Sequence, residues 1–146
     1  MKAGTAEVPA LGDGKIVFTE MNDVARFVIA SLELEVWPEV LGMRGDVNTY
    51  RGAVAVAEKV QQRKFLVRED SVSTIQKQIE EVPEMKFYNQ VRLALTDGWG
   101  LVNDELNKAF PTIKPTSLEE FVMKWWEGVE LEEASWGSEN KTFAFD

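Results

Sequence analysis

Apolar residues recur along this chain at two spacings, and each predicts a different element. Lys15-Ile16-Val17-Phe18-Thr19 is a short apolar run behind a Gly-Asp-Gly turn, the pattern of a strand. Val24, Phe27, Val28, Ser31 and Leu32 then fall at i, i+3, i+4, i+7 and i+8, which predicts one buried stripe on a helix. Asn22 or Asp23 is the expected cap, since a short side-chain oxygen can take up the free amides of the first turn. The helix should stop before Trp37-Pro38, because the residue ahead of a proline avoids the α region.

A second strand is predicted over Val40 to Arg44, closed by Gly45-Asp46. Asn48 or Thr49 should cap a second helix running to about Arg63, with Ala53, Val54, Ala57 and Val60 inward. Lys64 to Glu69 reads as a third strand. Ser71 or Ser73 opens a third helix with Ile75, Ile79 and Val82 on one face, ended by Pro83. Phe87, Val91 and Leu95 share a face of a further helix, which Gly98-Trp99-Gly100 breaks. A short helix is expected over Leu101 to Phe110. Ser117-Leu118-Glu119-Glu120 is a capping-box pattern, opening a last helix with Leu118, Phe121, Val122, Trp125, Trp126 and Val129 as a wide apolar face. The outcome is an α+β fold, mainly helical with about three short strands. Residues 1–14, rich in Gly, Ala and Pro and without period, read as a loose leading segment. Residues 129–146 read as an acidic tail in which Trp136, Phe143 and Phe145 could dock.

The length of 146 residues suits one domain, able to bury roughly 70% of its unfolded surface. Composition removes whole classes of chemistry. There is no cysteine and no histidine. Disulfides, thiolate or imidazole metal sites, Cys nucleophiles and Ser-His-Asp triads are therefore excluded. The net charge is −9, and Pro115 to Asp146 carry −6 of it. Such a surface repels nucleic acid and anionic membranes, so neither is an expected partner. No apolar run is long enough to span a bilayer, the start lacks a signal-peptide core, and the default location is the cytoplasm.

Phosphate-binding glycine loops are missing. A P-loop would need glycine where Pro9 stands, and Gly98-Trp99-Gly100 lacks the third glycine and follows a helix rather than a strand. Glu80/Glu81, Glu119/Glu120 and Glu132/Glu133 are paired carboxylates on polar faces or in the tail, better read as solvated surface than as acid–base pairs. Asp104-Glu105 with Asp97 lacks the loop spacing of a cation site, so no metal is expected. Trp125 and Trp126 cannot both face inward from one helix. One of them must cover a pocket, a partner or the tail.

Longer stretches resemble a known family. Gly12-Asp13-Gly14-Lys15-Ile16-Val17-Phe18-Thr19-Glu20-Met21-Asn22-Asp23-Val24-Ala25-Arg26-Phe27-Val28 is similar to the middle of NmrA-like proteins, the isoflavone-reductase-like branch of the atypical short-chain dehydrogenases. Trp37-Pro38, Gly45-Asp46-Val47-Asn48-Thr49-Tyr50, Ala57-Glu58-Lys59-Val60 and Arg63-Lys64-Phe65-Leu66-Val67 follow in the family's order. Leu106-Asn107-Lys108-Ala109-Phe110-Pro111 and Lys114-Pro115-Thr116-Ser117-Leu118-Glu119-Glu120-Phe121 resemble its C-terminal part, with a fungal flavour.

The resemblance implies that residues 15–128 are the substrate-binding region of an NmrA-like NAD(P)-binding fold. No residue here matches the family's glycine-rich nucleotide motif or its catalytic lysine. No catalytic or cofactor-binding residue is therefore carried over, and NADP or NAD is expected only with an N-terminal half. The implied pocket residues are Phe18, Thr19 and Met21, joined by Trp125 from the aromatic stripe, while Asp23 is expected to cap its helix.

Three functional readings follow. In the first, the chain is the substrate-binding portion of an NmrA-like reductase or redox sensor, lacking hydride transfer by itself. In the second, it is a stand-alone oligomeric binding protein that covers its apolar faces by self-association or with a partner chain. In the third, it is a cofactor-free isomerase or cyclase acting on an apolar metabolite, with Asp, Glu, Lys, Tyr50 or Tyr88 as catalyst.

Overall fold

The computed structural model describes residues 4–130, which form a mixed α/β fold of short strands and helices. Strand β1 (Thr5–Pro9) pairs in parallel with β4 (Leu66–Asp70), Thr5 opposite Leu66 and Pro9 opposite Asp70. Strand β2 (Ile16–Phe18) pairs antiparallel with β3 (Asp46–Asn48), Phe18 opposite Asp46. The helices are α1 (Met21–Ser31), α2 (Tyr50–Gln61), α3 (Val72–Glu81), α4 (Lys86–Thr96), α5 (Glu105–Ala109) and α6 (Leu118–Trp126), with a single 3₁₀ turn at Pro83–Met85.

Within the leading segment expected to be loose, Thr5–Pro9 is an ordered strand. Ala6 and Val8 of β1 point into the main core with Val54, Ala57 and Phe65, and Tyr50 and Trp126 pack against it. The strand was missed because Thr5–Pro9 is too short, and too mixed with Ala, Glu and Pro, to show a period. Its order comes from pairing with β4, far along the chain. The strand expected over 40–44 is also displaced: those residues are irregular and Asp46–Asn48 take the place beside β2. Gly45 permits that approach, since a Cβ there would come within 2.1 Å of the Phe18 carbonyl oxygen.

Most helix starts follow the chemistry of their caps. Thr49 accepts from the Gly52 amide and Ser71 from that of Thr74. Ser117 and Glu120 form the reciprocal capping box of α6. Helix α1 differs. Its cap is Glu20, whose carboxylate accepts from the amides of Asn22 and Asp23. It ends at Ser31, short of Trp37, and the short fifth helix covers only Glu105–Ala109.

Helix α4 turns opposite to its apolar pattern. Phe87 is 78% exposed and Val91 also faces solvent, while Asn89 and Arg92 are buried. Charge decides the orientation. Arg92 donates to the Asp70 carboxylate at 2.6 Å with both side chains buried, and it also donates to Asn89 Oδ1 at 3.1 Å. The Tyr88 ring lies 5.5 Å from the guanidinium. Asp70 ends β4, so this pair fastens α4 to the parallel sheet. The Arg92→Met variant leaves the buried Asp70 with only the longer Arg68 contact at 3.5 Å and should lose about 3 kcal/mol in urea unfolding, and pairing it with Asp70→Leu should recover much of that loss.

Candidate functional site

An open groove of about 130 Å³ lies between two backbone segments. Phe18, Thr19 and Glu20, at the end of β2, form one wall. Thr116, Ser117, Leu118 and Phe121, at the start of α6, form the other. Nothing local requires these segments to meet. They are held together by side chains of α1 and β3 acting on the backbone ahead of α6.

Asp23 is the centre of that attachment. It is 1% exposed, and its carboxylate accepts from the Thr116 amide at 2.6 Å and from Arg26 at 2.9 Å. Arg26 also donates to the Lys114 carbonyl at 3.1 Å. Asp46, on β3, accepts from the Leu118 amide at 3.0 Å. The strap 114–118 is thus tied at three backbone points, two of them to carboxylates. Asp23 therefore does not cap its helix as expected. Glu20 does so, which frees the Asp23 side chain to reach across the fold. Burial pushes the Asp23 carboxyl up, but hydrogen bonding with Thr116 and the Arg26 charge outweigh it and hold the group below its usual 3.8.

The expected pocket residues divide. Phe18 and Thr19 line the groove, and the Gly45 amide donates to the Thr19 hydroxyl at 3.3 Å. Met21 is 77% exposed and does not line it. Trp125 is 56% exposed and sits behind Phe121, ring centroids 6.3 Å apart, with Lys124 Nζ 5.1 Å over its ring. Trp126 is the tryptophan that turns toward the core, and Gln61 donates to its carbonyl. The wall at Thr116 to Leu118 was missed. A usable signal existed in Asp23 and Arg26, placed i and i+3 on a helix that the sequence treats as apolar. Trp136, Phe143 and Phe145 lie outside the described residues.

A second open cavity, about 270 Å³, is bounded by the Pro9–Gly14 turn, Tyr50, Val72, Thr96 and Asp97. Burial holds the Tyr50 and Tyr88 phenols above their usual 10.0, so at neutral pH both are protonated donors rather than bases. Among the described residues, every carboxylate whose ionisation is clearly displaced, at Asp23, Glu58, Asp104 and Glu120, is displaced downward. Asp104 is paired with Lys108 at 2.7 Å, and Glu105 accepts from the Gly42 amide. No group of three acidic ligands gathers among the described residues.

A dinucleotide requires a strand that passes through a glycine turn straight into a helix. Here β4 enters α3 through Ser71 without glycine, and the turn after β1 holds Gly12 and Gly14 but runs on to β2. Neither turn fits that cofactor.

Comparison with known proteins places the fold. No family model matches the sequence, and no curated protein does. Solved structures do. AtPrR2 in its apo form superposes with a TM-score of 0.68 at 15% identity, over 84% of this chain and 44% of that one. The same protein with NADP+ and (+)-pinoresinol gives 0.68 at 19%, over 83% and 42%. An isoflavone reductase gives 0.64 at 20%, over 83% and 43%. A nucleoside-diphosphate-sugar epimerase from Staphylococcus aureus gives 0.53 at 23%, over 82% and 43%. The likeness is one of fold: this chain has the mixed α/β fold of the C-terminal part of the reductases and epimerases. It spans less than half the length of each of these neighbours.

Asp23→Ala should cost about 1–3 kcal/mol by unmaking the strap's buried hydrogen bonds. The sign with pH follows from the lowered carboxyl: its stabilisation is present above the unfolded value of 3.8 and is lost as pH falls through the lower folded value. Denaturant unfolding of wild type and variant should therefore differ at neutral pH and converge in acid.

Proposed function

We propose that this chain is the substrate-binding portion of an NmrA-like, NAD(P)-dependent reductase or redox-sensor protein, without a nucleotide site or hydride transfer of its own. The observation that carries the reading is the strapped groove at the end of β2. It is built by the stretch that resembles the family's pocket segment, in a chain that superposes on less than half of solved reductases. The dinucleotide would be held by a part of the protein outside the present sequence, where the glycine turn that these strands lack would lie.

The groove suits a small apolar or aromatic molecule. Phe18, Leu118 and Phe121 offer apolar walls, with Trp125 behind Phe121 as its outer support. The Thr19 hydroxyl accepts from the Gly45 amide and keeps its own proton to donate to a ligand oxygen. Glu20 spends its carboxylate on the helix cap, so the groove has no free base positioned for proton abstraction from that residue. The function of these residues is selection and orientation, with the electron donor supplied from the other part.

Titration of this chain with NADPH should give no saturable signal up to ~100 μM, within the usual range of substrate constants; saturable binding in the micromolar range would overturn the proposal. (+)-Pinoresinol, used as an aromatic probe, should shift the amide resonances of residues 18–20 and 116–121. Phe121→Ser should weaken that response about tenfold, through loss of an aromatic wall. Shifts confined to the Pro9–Gly14 turn would place the ligand in the other cavity and remove the support for this groove.

A further inference from the structure

Two helix starts meet at the groove. Glu20, ahead of α1, lines one wall, and Thr116, Ser117 and Leu118, which open α6, line the other. A helix start carries free amides and a positive partial charge, the usual setting for a bound anion. Here both starts are taken by carboxylates of the chain itself. Glu20 accepts from the Asn22 amide at 2.7 Å and the Asp23 amide at 3.3 Å. Glu120 accepts from the Ser117 amide and the Ser117 hydroxyl, each at 2.8 Å. The other side-chain caps among the described residues, Thr49 on α2 and Ser71 on α3, are uncharged hydroxyls. Negative caps therefore occur at the groove and not away from it.

Two further carboxylates stand behind the same walls. Asp23 holds the Thr116 amide and Asp46 holds the Leu118 amide. Among the described residues, Arg26 is the basic side chain bonded to any of the four, through Asp23. Four carboxylates against one guanidinium leave the surroundings of the groove net negative. Hydrogen bonds from Ser117 hold the Glu120 carboxyl below its usual 4.5, so it keeps its charge at neutral pH. Both Glu20 oxygens already accept from Asn22, so the carboxylate that lines the groove offers a ligand a field rather than a bonding partner. The donor left for the ligand is the Thr19 hydroxyl, which calls for an acceptor oxygen.

We propose that Glu20 and Glu120 are specificity-determining residues of this groove: they admit an uncharged ligand whose acceptor oxygen meets Thr19, and they turn away the same molecule as a carboxylate. The inference rests on the reading of the groove as the substrate site and adds the charge its ligand must have. The apolar walls of Phe18, Leu118 and Phe121 would take either of two molecules of one shape. Repulsion from the caps separates them, so the choice is made against the anion rather than for its partner.

The test titrates the chain with two probes of nearly one shape, para-methoxyacetophenone and para-methoxybenzoate, at neutral pH and low salt. The amide resonances of residues 18–20 and 116–121 are followed. The ketone should shift them in the millimolar range, and the carboxylate should bind at least about tenfold more weakly. Raising the salt from about 10 mM to about 500 mM should narrow that gap, an arm that needs no variant. Glu20→Gln/Glu120→Gln keeps an acceptor oxygen at each cap and should tighten the carboxylate several-fold relative to the ketone. Glu80→Gln/Glu84→Gln, the same charge change elsewhere, should leave the ratio within about twofold. A carboxylate that binds as well as the ketone, a ratio indifferent to salt and to the glutamine pair, or an equal change in the control would overturn this inference and leave the groove as the ligand site. A ketone that leaves these amides unmoved would remove the groove reading, and this inference with it.

Discussion

The geometry of the groove depends on one buried carboxylate. Asp23 leaves its helix, crosses to the strap ahead of α6 and takes the Thr116 amide, with Arg26 completing the clasp at the Lys114 carbonyl. Without that tie the wall at Thr116 to Phe121 has no reason to stand opposite Phe18 and Thr19, and there is no groove. The arrangement works because the carboxylate is both buried and doubly engaged. A lone charge at 1% exposure would cost far more than one hydrogen bond returns. Asp46 repeats the device at the Leu118 amide from a separate strand, so the entrance to α6 is held from two directions.

The same logic governs the seating of α4 on the parallel sheet. Asp70 and Arg92 set the rotation of α4 against the pull of its own apolar residues, and Phe87 and Val91 are left outside. Both attachments are thus specified by paired charges rather than by packing volume. That suits a chain whose buried apolar residues are small and scattered, with alanine and valine prominent among them.

These features explain which parts of the structure are visible in the sequence. Helix positions were readable where a cap oxygen and a stripe agree, as at Thr49 with Ala53, Val54 and Ala57, or at the Ser117–Glu120 box. The α+β class and the fold of the reductases' C-terminal part were readable from ordered landmarks. Periodicity failed where a long-range partner decides. Thr5–Pro9 is a strand only because Leu66–Asp70 lies beside it, and Asp46–Asn48 displace residues 40–44 because Gly45 lets the backbone close on Phe18. The cap of α1 was misplaced because Glu20 is longer than the usual capping side chains, and its taking that role releases Asp23. Both walls of the groove lay in resembling stretches, but only Phe18 and Thr19 were expected at a pocket. That Thr116 to Phe121 stand opposite them is decided by long-range bonds to the backbone amides of Thr116 and Leu118, which carry no side-chain signature.

The pairing of β1 with β4 also sets a timetable. Thr5 sits beside Leu66, so the strand has no partner until about sixty further residues have emerged from the ribosome, some 3–12 s at the pace of synthesis. During that interval Ala6 and Val8 have neither sheet nor core, while α1, β2 and α2 are already available to one another. Assembly of this region therefore runs from its middle outward, and its first strand is among the last to settle.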